Sequence, residues 1–284
     1  MNNCDLCGSD KNITLWDKEE RINNKTFYPS IITKLNDKEY HLKNVMCLNC
    51  GLVYTNPRMS DEELNQFYKT EYRKLYNKDT DETEHADNAY SILEQLKFNN
   101  FLDIGCNKGE LINKIQVPAY GIEPNLNIDK SKITGTVYNC MLEDFKPDME
   151  FDMITMLNTL EHLSSPTKEL EKIRTFLKGY LLISVPDLMS TNVHIPPDAF
   201  LSCAHVYHFD INSITKLVEK CGYKTVMVYI FEEQIGNKLY LLLEKAECKP
   251  IEPLKDPFAK YRRVLEHLIK SDLLHYTKLI CNLN

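Results

Sequence analysis

The sequence predicts an α/β fold. It should be an open, mostly parallel seven-stranded sheet with helices on both faces, preceded by a small cysteine-ligated module and followed by a helical tail. Three observations predict it. Phe101-Leu102-Asp103-Ile104-Gly105 is an apolar run that passes without a spacer into a helix-compatible segment, Lys108 to Ile115. Further apolar runs of strand length alternate with helix-periodic segments down the chain, as βαβ units require. Finally, Cys4-x-x-Cys7-Gly8 is repeated far downstream as Cys47-x-x-Cys50-Gly51.

Composition bounds the reading. A chain of 284 residues has room for one large domain and one or two small ones, and 43% hydrophobic residues suffice for a core. The net charge of −7 provides no basic field for nucleic acid. No run of 18 apolar residues occurs, and the first residues lack a signal-peptide core, so a cytoplasmic protein without membrane association is expected. In that compartment the ten cysteines should be thiols or metal ligands.

Each CxxC-Gly reads as a knuckle whose two thiolates converge on one ion. Cys4, Cys7, Cys47 and Cys50 then make a tetrahedral set, the geometry of structural zinc, with no open position for catalysis. The 39 residues between the knuckles exceed the common spacing, but loop closure grows only logarithmically with length. Thr26–Ile32 and Glu39–Val45 have strand character between them, as in a zinc ribbon. Ser60-Asp61-Glu62-Glu63 then opens a helix with a capping box. A tyrosine-rich segment follows, including Tyr72, Tyr76 and Tyr90.

At the central turn the spacing is G-x-x-x-G, so neither a dinucleotide fingerprint nor a phosphate-binding P-loop is present. A second short strand, Ala119–Ile122, ends in Glu123-Pro124. An acid at that tip, 18 residues past Gly105, is placed to accept hydrogen bonds from ribose hydroxyls. Together these residues resemble the class I S-adenosylmethionine-dependent methyltransferases, whose first motif Asp103, Gly105, Cys106 and Gly109 match. Asn107 stands at the family's middle glycine, and Asn is among the few residues that tolerate positive φ.

The resemblance spans roughly residues 1–245 and implies a Rossmann-like seven-stranded methyltransferase sheet. It divides the chain into a zinc ribbon (1–57), a helical lid or linker (58–97), a methyltransferase domain (98–247) and a helical tail (248–284). S-adenosylmethionine should lie against Asp103, Gly105, Cys106, Gly109, Glu123 and Pro124, with Glu143 at the adenine edge. Phe151–Leu157 is a fourth strand ending in Asn158-Thr159-Leu160-Glu161-His162, similar to the family's post-strand motif, with Asn158 beside the sulfonium methyl. Tyr72 and Tyr76 are candidate substrate contacts in a lid.

The remaining elements follow in order. Thr136–Asn139 is the third strand. Helix Thr167–Leu177 is closed by Lys178-Gly179, and Tyr180–Val185 is the fifth strand. Residues 188–204 form a loop over the active face. Asp210 caps helix Ile211–Lys220, and Lys224–Phe231 and Lys238–Glu244 form a final hairpin. After three prolines, Phe258, Tyr261, Val264, Leu265 and Leu268 recur at helical spacing. That face either packs on the core or makes a homodimer.

Transfer to a hydroxyl needs a base suited to neutral pH, and histidine fits. His205 and His208 precede the helix after strand five. Sugar methyltransferases that share the ribbon carry a Glu-His pair here; His205 matches the histidine and Ala204 replaces the acid. The expected reaction is methylation, usually at oxygen, of a small polar acceptor linked to sugar or glycan biosynthesis, with His205 as base and substrate contact and His208 second to it. Two other readings remain: a nucleic-acid or protein methyltransferase that uses the ribbon as a reader, and a non-catalytic protein that keeps the fold for interaction. Neither a basic cluster near the ribbon nor a base-flipping motif after strand four supports the former.

Overall fold

The computed structural model describes residues 2–17, 34–35, 38–39, 43–71, 83–125, 128–190, 201, 205–233 and 236–281. The expected strand at 26–32, Tyr72, Tyr76, Ala204 and most of the 188–204 loop lie outside these residues.

Near the N-terminus, strands β1 (Asn12–Asp17), β4 (Lys43–Cys47) and β5 (Val53–Thr55) form an antiparallel sheet. Between β1 and β4 lies a small hairpin, β2 (Lys34–Leu35) with β3 (Lys38–Glu39). Of the expected strand at 39–45, Glu39 belongs to β3 and Lys43–Val45 to β4. Helix α1 (Asp61–Gln66) begins in the expected capping box: Glu63 N–H donates to Ser60 Oγ, and Glu63 Oε2 accepts from Ser60 N–H. A π-helical turn, Phe67–Glu71, continues it, and α2 (Thr83–Leu93) leads toward the main sheet.

That sheet has seven strands: β6 (Phe101–Ile104), β7 (Ala119–Ile122), β8 (Thr136–Tyr138), β9 (Phe151–Leu157), β10 (Leu177–Pro186), β12 (Tyr223–Glu233) and β13 (Gly236–Lys245). The spatial order is β12-β13-β10-β9-β6-β7-β8, with β13 antiparallel to both of its neighbours and β6 to β10 mutually parallel. The chain runs outward from β6 to β8 and then returns to place β9 on the other side of β6. This reversal opens a crevice at the carboxyl end of β6, where ligands of open α/β sheets bind.

Both sheet faces are buried, which is why the strands read as continuous apolar runs. Leu102, Ile104, Ile154, Met156, Leu181 and Ile183 face one core, shared with helices α3 (Pro166–Phe176) and α4 (Ile211–Lys220). Phe101, Met153, Leu182, Tyr240 and Leu242 face the other, covered by Ala86, Ala89 and Ile92 of α2.

Two local expectations are corrected. Lys108–Ile115 does not form a helix; only a 3₁₀ turn, Ile112–Lys114, appears. The reason lies in Asn107 (φ 48°) and Gly109 (φ 77°), whose left-handed backbone interrupts the right-handed run at its start. Gly179 does not close a helix. Strand β10 begins directly at Leu177, and a Cβ at Gly179 would stand 2.2 Å from the Asp152 carbonyl oxygen. That glycine permits close approach to β9.

The short strand β11 (Tyr207–His208) pairs antiparallel with β5, so the segment after β10 completes the N-terminal sheet. The terminal helix α5 (Pro257–Cys281) lays Val264 and Leu268, both buried, against Leu15, Met46, Val53 and Leu188. Part of its apolar stripe is therefore used within the chain, while Phe258 stays exposed. Lys260 of α5 is ion-paired with Asp210, the N-cap of α4.

Candidate functional site

The site is built outward from the tip of β6. Gly105 (φ 78°) turns the chain, and a Cβ there would lie 2.4 Å from Thr159 Oγ1, so no larger residue fits. Asp103, buried in β6, accepts from Thr155 Oγ1 of β9 at 2.6 Å. Cys106 is also buried, and a Cβ built on Gly121 would stand 2.5 Å from its Sγ. Burial, reinforced by Asp103 and Glu123, pushes that thiol far up, so Cys106 is an inert packing group.

Glu123 sits just past β7 and is 6% exposed. Its Oε2 accepts from Asn107 N–H at 3.1 Å and its Oε1 from Asn125 N–H at 3.0 Å. The carboxylate thus ties the β6 turn to the β7 tip. Pro124, between these bonds, is half-buried. Glu143, on the 3₁₀ turn Leu142–Asp144, is exposed and accepts from Asn65 Nδ2 of α1 at 2.9 Å.

Asn158, at the tip of β9, is the second non-glycine residue with positive φ (44°) among those described. Its N–H donates to Ser184 O and Ser184 Oγ, 3.0 and 3.1 Å away. Its side-chain Oδ1 is buried without a hydrogen-bond partner. A buried polar atom left unsatisfied in a protein calls for an explanation, and at this sheet tip it lies at the crevice end of β9.

On the same edge, the 3₁₀ turn Leu160–His162 and the segment entering β11 bring three titratable side chains together. One ligand atom each from Glu161, His162 and His205 lie within 4.8 Å of one another. The His162 and His205 rings meet edge to face at 4.8 Å. Tyr68 Oη lies 2.8 Å from His162 Nδ1. His208 is buried, with Nε2 2.9 Å from Asn44 Nδ2 of β4. Lys238 is buried nearby; burial pushes its amino group down, opposed by the carboxylates of Glu161 and Glu233.

Some 40 residues of sequence separation collapse at the other cluster. The four Sγ atoms of Cys4, Cys7, Cys47 and Cys50 all lie within 4.8 Å of one another, with Cys4–Cys50 and Cys7–Cys47 at 3.5 Å. Ligands 2.3 Å from a tetrahedral zinc stand about 3.8 Å apart, so the donor set fits that ion. Each knuckle is built alike: Gly8 N–H donates to Cys4 O and Gly51 N–H to Cys47 O, with both glycines at positive φ.

Residues 68–228, more than half the chain, match the family model of a methyltransferase domain. The chain belongs to the methyltransferase-domain family. It is an enzyme on the class I, S-adenosylmethionine-dependent fold. Solved structures share that fold at low identity. Magnesium protoporphyrin IX methyltransferase (ChlM) from Synechocystis PCC 6803, with bound SAM, is 13% identical over 67% of this chain and 100% of that one, with a TM-score of 0.50. The same protein with bound SAH gives 12% identity over 66% and 100%, with a TM-score of 0.51. The plantazolicin methyltransferase BpumL, in complex with a triazolic desmethylPZN analog and SAH, is 13% identical over 65% and 95%, with a TM-score of 0.50. No curated protein matches the chain.

In this methyltransferase, sequence reasoning overlooked three side chains at the site. Glu161 was visible only as part of a Glu-His dipeptide after a strand. Asn44 and Tyr68 carried no signal, because they reach the histidines from elements far away in sequence.

Proposed function

We propose that this methyltransferase transfers a methyl group from S-adenosylmethionine to a hydroxyl of a small polar acceptor, a sugar or sugar-linked intermediate of glycan biosynthesis. The observation that carries the cofactor assignment is Glu123, a buried carboxylate held by two backbone N–H groups at the β7 tip beside the glycine turn. Gly105 and Gly109 would leave room for the cofactor at the β6 turn, Glu123 would accept from its ribose, and Glu143 would meet the adenine edge. Pro124 and the Cys106 backbone flank this cradle. When bound, S-adenosylmethionine supplies the electrophilic methyl, and this chain's task is then to orient the acceptor against it.

Asn158 Oδ1, buried and unpaired, is assigned to the methyl-donor end. Among the acceptor-side residues, His205 is assigned to the acceptor hydroxyl, where it would draw off the proton. His208 is the weaker candidate because its ring is engaged with Asn44. Tyr72 and Tyr76 remain proposed acceptor contacts. The cysteine cluster is assigned a structural zinc, making the N-terminal sheet a zinc ribbon that includes β11. The acidic net charge favours a small acceptor in the cytoplasm over nucleic acid.

A panel of nucleotide sugars and phosphorylated sugars with methyl-labelled cofactor tests the reading. Label should enter a small molecule, and His205→Gln should lower turnover about 10²–10⁴-fold while keeping cofactor affinity. Label entering only RNA, DNA or protein would refute the acceptor class.

A further inference from the structure

Glu161 is 1% exposed, and neither of its carboxylate oxygens has a hydrogen-bond partner. A buried carboxylate in that state is strongly disfavoured unless a counter-charge or donors complete it. Lys238 bears on Glu161 electrostatically but forms no ion pair with it among the described residues, and its charge is shared with Glu233. What does approach Glu161 is a pair of imidazoles, with one ligand atom from each of the three residues inside a 4.8 Å span.

We propose that Glu161, His162 and His205 form a divalent-cation site on the acceptor side of the methyl-transfer crevice, distinct from the cysteine cluster. One carboxylate and two imidazoles suit manganese, iron, nickel or zinc, and three protein ligands leave open positions for an acceptor oxygen. Ligands about 2.1 Å from a tetrahedral ion stand about 3.4 Å apart, a separation that falls inside the 4.8 Å within which these three atoms lie. The backbone already fixes the ligands relative to one another. Val206 N–H donates to Glu161 O at 2.8 Å, stitching the 3₁₀ turn that carries two ligands to the residue after the third. The Tyr68 hydroxyl engages His162 Nδ1 and fixes that ring, the kind of outer contact that orients ligating imidazoles.

The proposal rests on the acceptor-side reading above and deepens it. A bound cation holds the acceptor oxygen and lowers its proton affinity, so the hydroxyl proton leaves to solvent water. The ion then replaces His205 as the group that activates the hydroxyl, revising the base role given to His205 above, and His205→Gln lowers turnover on either account.

The test uses the full chain loaded with one equivalent of zinc, which the four thiolates take first, so that the second site is open to the probe. Mn²⁺ is the probe, because hard Mn²⁺ does not displace zinc from thiolates. Loss of the free-ion resonance signal on titration counts bound Mn²⁺. One ion should bind per chain, and Glu161→Gln should weaken it about 100-fold, the upper range for losing even an outer-shell contact. His205→Ala, at a partly exposed position, should do the same and guards against a Glu161 variant that fails to fold. Calorimetry with S-adenosylmethionine on the same samples reports separately on the cofactor reading, and the Mn²⁺ result stands whichever way it falls. Zinc-loaded protein that takes up no Mn²⁺, or a folded variant that binds it as tightly as the wild type, overturns the site.

Discussion

The buried side chains of Asn44 and His208 meet at 2.9 Å between Nδ2 and Nε2, joining the N-terminal sheet to the strand beside the candidate acceptor site. An amide nitrogen can only donate, so the ring nitrogen accepts. Asn44 Nδ2 also lies 3.3 Å from Thr55 Oγ1, which in turn donates to the His205 carbonyl at 3.2 Å. Asn44→Ala should leave a buried imidazole nitrogen without its donor, lowering stability by roughly 1–3 kcal/mol. Urea unfolding of the variant measures this; an unchanged midpoint would show the contact to be dispensable.

The same connection makes metal removal a test at a distance. Purified protein should contain one zinc, and Cys47→Ser or chelation should lower the melting temperature sharply, since a structural zinc contributes folding free energy directly. Because β11 pairs with β5, loss of the metal should also reduce methyl transfer by loosening the segment that carries His205. Thermal unfolding followed with metal analysis decides the point. Metal-free protein that melts at the native temperature would remove zinc from the structure.

Glu123→Ala should weaken S-adenosylmethionine binding by roughly 1–3 kcal/mol, because the ribose loses its acceptor. It also strips the partner from the N–H groups of Asn107 and Asn125, so some local stability should be lost as well. Calorimetric titration of wild type and variant gives the comparison. Equal affinities would mean the acid is only a brace between the two turns.

Asp210 provides a pH-dependent prediction. Burial disfavours its ionised form, but Lys260 and the donors of Ser213 outweigh burial and hold its carboxyl below the usual range. A depressed folded value contributes stability that is present above the unfolded carboxylate range, near pH 4, and is lost as pH falls through the folded value. Lys260→Met should cost roughly 3–5 kcal/mol at neutral pH by leaving a buried carboxylate without its cation. It should also move the onset of acid unfolding to higher pH. A stability–pH curve that superimposes on the wild type would refute the pairing.

Much of the fold was legible because the central strands β6, β9 and β10 are buried on both faces and therefore read as apolar runs. The cysteine knuckles were legible because CxxC-Gly is a local geometry. Helix starts at Ser60 and Asp210 were legible for the same reason, as each cap is closed within three residues. The failures were also local in appearance. Lys108–Ile115 has helical composition, but Asn107 and Gly109 are committed to left-handed turns by the crevice they line. Gly179 resembles a helix stop, yet contact with Asp152 of the neighbouring strand demands it.

What the sequence by itself determined was therefore the strands of the main sheet, the glycine turn followed by an acid one strand later, and the four thiols, because periodicity and short motifs are written in consecutive residues. What only the tertiary structure decided was the company those residues keep. Asn44 meets His208 because β11 joins the N-terminal sheet, while Tyr68 against His162 and Glu161 against His205 are brought together by turns at the end of α1 and after β9 meeting the segment that enters β11. That pairing depends on backbone hydrogen bonds between segments about 150 residues apart, which no local pattern encodes.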